Sequence, residues 1–169
     1  MPTAAQVKRL VQPLLQRNPD LALVGRFLVL KPVHHIVRGI CIDRSIASEL
    51  FVPTSTVSIL FMPRIQFSYG WAERLYSPDT RWDVNEPDMA SVMYEMIEQE
   101  TLPFLRSVQS IDDLIAYSTP ERFPGRNLDV HKQARIHVDA ARGDFRAAEA
   151  LCIHFGDDPA KSRYLPALK

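Results

Sequence analysis

Residues 21 to 64 contain LALVGRFLVLKP (21–32), HHIVRGICIDRS (34–45) and STVSILFMPR (55–64). These three runs are apolar and rich in β-branched residues, and each is bounded by Pro, Asp or Ser. Such runs predict strands. The connections between them are too short for the crossover helix that parallel neighbours require, so the pairing should be antiparallel. SIASELFVPTS (45–55), between the second and third runs, reads either as a short extra strand or as an irregular loop. Pro53 and Pro63 suit strand ends or edges.

Helical periods flank this region. In TAAQVKRLVQPLLQRN, Thr3 and Gln6 have capping-box spacing, and Val7, Leu10, Val11, Leu14 and Leu15 make one apolar stripe. Pro13 should kink or divide that helix. PDMASVMYEMIEQETLPFL is the strongest helix: Met89, Val92, Met93, Met96 and Ile97 fall at i, i+3, i+4, i+7 and i+8. Asp88 is placed to cap it, and Pro103 should end or bend it. SIDDLIAYS follows as a short helix with a Ser110–Asp113 capping box. The fold class is therefore α+β, an antiparallel sheet of three to five strands packed against helices.

The C-terminal part adds a helical hairpin. Its helices are expected from about Asp129 to Arg142 and from about Asp144 to Phe155. Gly143 stops the first by taking the left-handed conformation, and Asp144 caps the second. Val130, Ala134, Val138 and Ala141 should face Phe145, Ala148, Cys152 and Phe155. STPERFPGRN (118–127) reads as a linker. The organisation is then a core domain at 1–117, the linker, and a hairpin with its tail at 128–169 packed on the core.

Composition bounds the function. Lys+Arg and Asp+Glu are both 20, so the chain has no general attraction to nucleic acid or to an anionic membrane. No run approaches the roughly 18 apolar residues of a membrane span, and MPTAAQVKRL has no apolar signal core. The expected compartment is the cytoplasm, and Cys41 and Cys152 read as buried, reduced thiols.

The usual motifs of catalysis are missing: no G-x-S-x-G, no Gly-rich phosphate loop, no H-E-x-x-H and no C-x-x-C. His131 and His137 lie about 240° apart on a helix at roughly 100° per residue, so they cannot chelate one metal together. His137, beside the apolar face, reads as a hydrogen-bonded core histidine. His34 and His35 face opposite sides of a strand. His35 and Asp43 share a side but are about 26 Å apart at 3.3 Å per residue. Glu95, Glu98 and Glu100 read as a solvated helix face, and the methionines as core. No catalytic residue, metal ligand or cofactor is assigned.

Residues 64–88 lack a clear period and hold both tryptophans. Tyr69, Trp71, Arg74, Tyr76, Arg81 and Trp82 form the candidate binding set, because Trp, Tyr and Arg dominate protein interfaces. This requires Trp71 and Trp82 to be at least partly accessible. Glu73, Asp79 and Asp83 dilute the charge and argue against nucleic acid.

Two partial resemblances exist. GDFRAAEALCIHF (143–155) resembles the turn and second helix of a single tetratricopeptide repeat, but Arg135 and Ile136 depart from that family's first helix. WDVNEPD (82–88) and LPFLRSVQSIDDLI (102–115) loosely resemble a bacterial family of uncharacterised α+β domains. That resemblance implies a bacterial cytoplasmic domain and no particular activity. The expected function is a non-enzymatic protein-interaction domain of accessory or immunity type, with a protein partner, and a homodimer is compatible. The alternatives are a small enzyme with a site converging from the strands and the 64–88 loop, or a small-ligand-binding module.

Overall fold

The computed structural model describes residues 3–44, 49–61, 71–76, 82–123, 128 and 132–156, with backbone only for Arg44, Phe155 and Gly156. Five strands form one antiparallel sheet in the order β1-β2-β3-β4-β5: β1 Leu21–Val24, β2 Phe27–Leu30, β3 Ile36–Arg44, β4 Phe51–Ile59 and β5 Trp71–Arg74. The α+β class, the antiparallel pairing and a strand count within the expected three to five all stand, while the strand limits differ from the sequence reading. Residues 21–32 are not one strand. Gly25 has φ +63° and turns the chain between Val24 and Phe27, which pair with each other. Arg26 keeps a negative φ, the pattern of a type II′ turn with glycine first. β4 begins at Phe51 rather than at 55, and Pro53 lies inside it, where its carbonyl accepts from the Leu75 N–H (2.9 Å). β5 carries no visible alternation and exists because β4 offers it a ladder from Thr54 to Val57.

Alternation separates the two sheet faces. Leu28, Leu30, Ile36, Ile40, Ile42, Val57 and Ile59 are buried and share one face. Arg38 lies on that face too, and its guanidinium donates to the Leu105 carbonyl (3.4 Å) and the Pro32 carbonyl (3.0 Å). That bond sets this face toward α3 (Leu102–Ser107). Two more carbonyls of that helix end are also met by side chains. Ser107 Oγ donates to Phe104 (2.7 Å) and Gln109 Nε2 to Arg106 (3.0 Å). Arg38 thus acts as a buried cation on a helix C-terminus, where a positive charge is favoured.

α1 (Ala4–Arg17) starts with the Thr3–Gln6 capping box and runs unbroken through Pro13. Val7 and Val11 before the proline and Leu14 after it are all buried, so packing on both sides offsets one missing hydrogen bond. α2 (Met89–Met96) buries Met89 and Met93. Asp88 does not cap it: its backbone is already helical, so the side chain cannot turn back onto the first amides. Pro103 does not end the long helix either. Ile97–Thr101 widens into a π-helical turn, which relieves the clash a proline ring makes with the carbonyl four residues earlier, and α3 continues directly. α4 (Ile111–Tyr117) opens on the expected Ser110–Asp113 box, with Ser110 N–H to Asp113 at 2.8 Å and Asp113 N–H to Ser110 Oγ at 3.1 Å.

The chain divides into two units. The first holds the sheet and the helices through Leu114, and the second holds the chain from Ile115 onward together with Phe61. Within the stretch read as a linker, Ser118 and Phe123 are buried, and Phe123 meets Tyr117 edge-to-face (4.9 Å). Residues 124–127 lie outside the described residues. The hairpin forms from α5 (Lys132–Ala141) and α6 (Phe145–Gly156). Gly143 sits at φ +81°, and Asp144 Oδ1 accepts from the Ala147 N–H (3.1 Å). Its buried set is Ala134, Ile136, Val138, Asp139 and Ala148. Ala141 is exposed, and Phe145 is 69% exposed. The inner face of α6 centres between Ala148 and Leu151, about 90° from Phe145 at 100° per residue.

Candidate functional site

The aromatic–arginine set separates into two roles. Trp71 is 4% exposed and Trp82 8% exposed, so neither supplies the accessible surface expected of it. Trp71 pairs with Val57, and a cross-strand pair shares a face, which turns its ring to the helix side. Trp82 Nε1 donates to the Leu75 carbonyl (2.7 Å), and the Trp82 carbonyl accepts from the Phe51 N–H (2.8 Å). The tryptophans are anchors that fix both ends of the segment. Arg74 is exposed, and Tyr76 is 72% exposed. Tyr69 and Arg81 lie outside the described residues.

The register brings together residues that the sequence reading kept apart. Thr54 pairs with Arg74, and Asp43 pairs with Val52. The Leu75 N–H to Pro53 carbonyl bond continues the β5 alternation, so Tyr76 joins Arg74 on the face opposite α3. Asp43 is exposed there, and Val52 and Thr54 are half-buried. Further along the same face Val37, Cys41, Thr56 and Ser58 are buried. The open end of the outer face therefore presents Asp43, Val52, Thr54, Arg74 and Tyr76. Nothing in the sequence period pointed to Asp43, Val52 or Thr54, because their neighbourhood depends on the register of three strands.

A second polar cluster lies where α1 ends. Arg17 grips Glu98 through Nε (2.9 Å) and a terminal nitrogen (3.0 Å), and Arg106 grips Asp20 in the same way (2.9 and 3.0 Å). Asn18, which is buried, joins the two pairs. Its Nδ2 donates to Glu98 (2.8 Å) and the Leu14 carbonyl (3.1 Å), and its Oδ1 accepts from Arg106 (2.9 Å). Tyr94 Oη donates to the Leu10 carbonyl beside them. Glu98 is therefore not part of a solvated acidic face. The hydrogen bond from Arg17 holds the Glu98 carboxyl below the usual carboxylate range, and that from Arg106 does the same for Asp20. A general acid or base works best near neutral pH, whereas these carboxylates are held ionised. The cluster is a joint between α1, the π turn and α3.

Both folded values lie below the unfolded ones. The joint therefore adds stability above about pH 4, near the unfolded carboxylate values, and loses it as pH falls through the folded values. The melting temperature of the wild type should drop on acidification below about pH 4, and Glu98→Gln should flatten that limb. Parallel slopes in the two proteins would refute the assignment. The pairs are partly exposed, so the gain is modest and should shrink at high salt.

Among the described residues, no group of three His, Cys, Asp or Glu side chains could hold a metal ion. His34 and His154 are exposed and His137 is half-buried, while His131 lies outside the described residues. Among the described residues, no helix is long and apolar enough to cross a membrane. No family model matches the chain, and neither a comparison with curated proteins nor one with solved structures returns a match.

Proposed function

We propose that the protein is a non-enzymatic protein-interaction domain of accessory type. It would work in a bacterial cytoplasm and contact its partner through the open end of the outer sheet face. The observation that carries this reading is the exposure of Arg74 and Tyr76. Arg74 ends the edge strand β5 and Tyr76 follows two residues on, and the neighbouring tryptophans are anchored in the core. Arginine and tyrosine supply a disproportionate share of interface energy, and an anchored strand loses little freedom when they bind. The balanced net charge favours a protein partner over nucleic acid.

The test is a photocrosslinking amino acid placed at Tyr76 in the full chain and activated in source cells. The same residue at the exposed Lys8 of α1 serves as control. A discrete adduct from position 76 that Arg74→Ala weakens is the expected result. Adducts equal at both positions, or none at 76, would refute the reading.

A further inference from the structure

We propose that the C-terminal end of α3 and the segment just after β2 form a binding site for an oxyanion of the phosphate class, held by Arg38 and Lys31. Arg38 lies on the sheet face opposite Arg74 and Tyr76, so this site is independent of the contact surface. Arg38 carries the inference. It is 6% exposed, its charge is permanent, and its two terminal nitrogens donate to neutral carbonyls, those of Leu105 and Pro32. Its Nε–H is buried, and no described residue accepts from it. A buried cation without its own anion is costly, and so is an unmet buried donor. Burial pulls the Arg38 pKa down, and the charge of Asp20 opposes that shift.

The planar guanidinium fixes where an acceptor would sit. Nε and Nη2 share one edge, the edge with which Arg17 and Arg106 each grip a carboxylate. In Arg38 the Nη2 half of that edge donates to Pro32. Nε therefore opens toward the same segment, away from Leu105 and the negative end of α3. Lys31 directly precedes Pro32 and is exposed. Its N–H donates to the Asp20 carbonyl (2.8 Å), which continues the β1–β2 ladder past Leu21↔Leu30. Paired residues share a side, and the Asp20 side chain reaches Arg106 on α3. The Lys31 charge accordingly lowers the Asp20 pKa. Arg17 matches Glu98 and Arg106 matches Asp20, which leaves Arg38 and Lys31 as the cations of this cluster, among the described residues, without a carboxylate of their own. Arg38 offers one open donor rather than a fork, which suits a tetrahedral oxyanion better than a carboxylate. Lys31 adds a point charge with rotatable donors from the exposed side.

Isothermal titration calorimetry of the full chain with inorganic phosphate, at fixed ionic strength, reads the binding directly. The wild type should bind phosphate saturably, and acetate or chloride should not compete on equal terms. Lys31→Gln should weaken binding about tenfold, the loss of one charge-assisted hydrogen bond. Lys8→Gln, on α1, should leave it unchanged. Arg38→Lys keeps the charge but removes Nε, and it should weaken binding at least as much. Circular dichroism melts check folding, and if the Arg38 variant unfolds, the exposed Lys31 position decides alone. Glycerol phosphate is titrated in parallel. Its binding alongside inorganic phosphate supports a phosphate group carried on a larger molecule, and its exclusion supports the free ion. No saturable heat from the wild type, equal competition by acetate or chloride, or a Lys31→Gln protein that binds normally overturns the proposal.

Discussion

Gly39→Ala should destabilise the protein by about 3 kcal/mol or more, lowering the melting temperature by roughly 6–12 °C. A Cβ at this position lies 2.0 Å from the Leu28 carbonyl oxygen and 3.2 Å from the Phe27 ring. The first contact is with backbone, which cannot rotate away, so β2 must retreat. That strand is held to β3 by Phe27↔Cys41, Leu28↔Ile40 and Val29↔Gly39, and it buries Leu28 and Leu30. Moving it opens the centre of the sheet. Valine should be little worse than alanine, because the first carbon already collides. Gly25→Ala is the comparison: its φ is +63° but the space around it is empty, so only the backbone conformation is strained. Urea unfolding of the three variants decides. A Gly39→Ala protein within about 1 kcal/mol of wild type would mean that β2 has room to shift.

Arg135→Ala should cost about 2–4 kcal/mol in the second unit. Asp139 is buried, and Arg135 Nε donates to both of its oxygens at 2.9 Å from one helical turn away. Removing the cation leaves a buried carboxylate without its counter-charge, the costly way to break such a pair. Arg135 is itself about one-third exposed, which keeps the figure below the fully buried limit. Asp139 also lies beside the hairpin joint, since its carbonyl accepts from the Asp144 N–H (2.9 Å). Hydrogen exchange of the α5 and α6 amides is the measurement, because it reports this unit separately from the sheet. Replacing both residues, as Arg135→Leu/Asp139→Leu, should recover much of the loss. A double variant as unstable as Arg135→Ala would show that packing, not the uncompensated charge, sets the cost.

The elements most legible in the sequence are those whose cause is local. The Thr3–Gln6 and Ser110–Asp113 boxes and the Gly143–Asp144 joint form where they were expected. Each needs only side chains within a few residues of each other. Prolines were read less well. Pro13 and Pro103 both stay within helices, because packing on either side, or one widened turn, absorbs what the ring removes. The tryptophans misled for a related reason. A Trp or Arg in an aperiodic stretch has the same composition whether it faces solvent or core. Only the pairing of Trp71 with Val57 turns one ring inward, and only the Leu75 carbonyl fixes the other.

By itself, the sequence determined the α+β class, the antiparallel pairing, the caps at Thr3, Ser110 and Asp144, and the C-terminal hairpin. Period, turn residues and connection length act over short stretches, and they specify those features without knowledge of the rest of the chain. Tertiary structure alone decided that residues 21–32 fold back on themselves, that β5 exists, and that Asp43, Val52, Thr54, Arg74 and Tyr76 share one open face. It also decided that Glu98 belongs to a joint with Arg17 and Asn18. These depend on register and on helix packing, where a shift of one residue moves every side chain to the other face. That choice is made by the whole core at once and is written in no single segment.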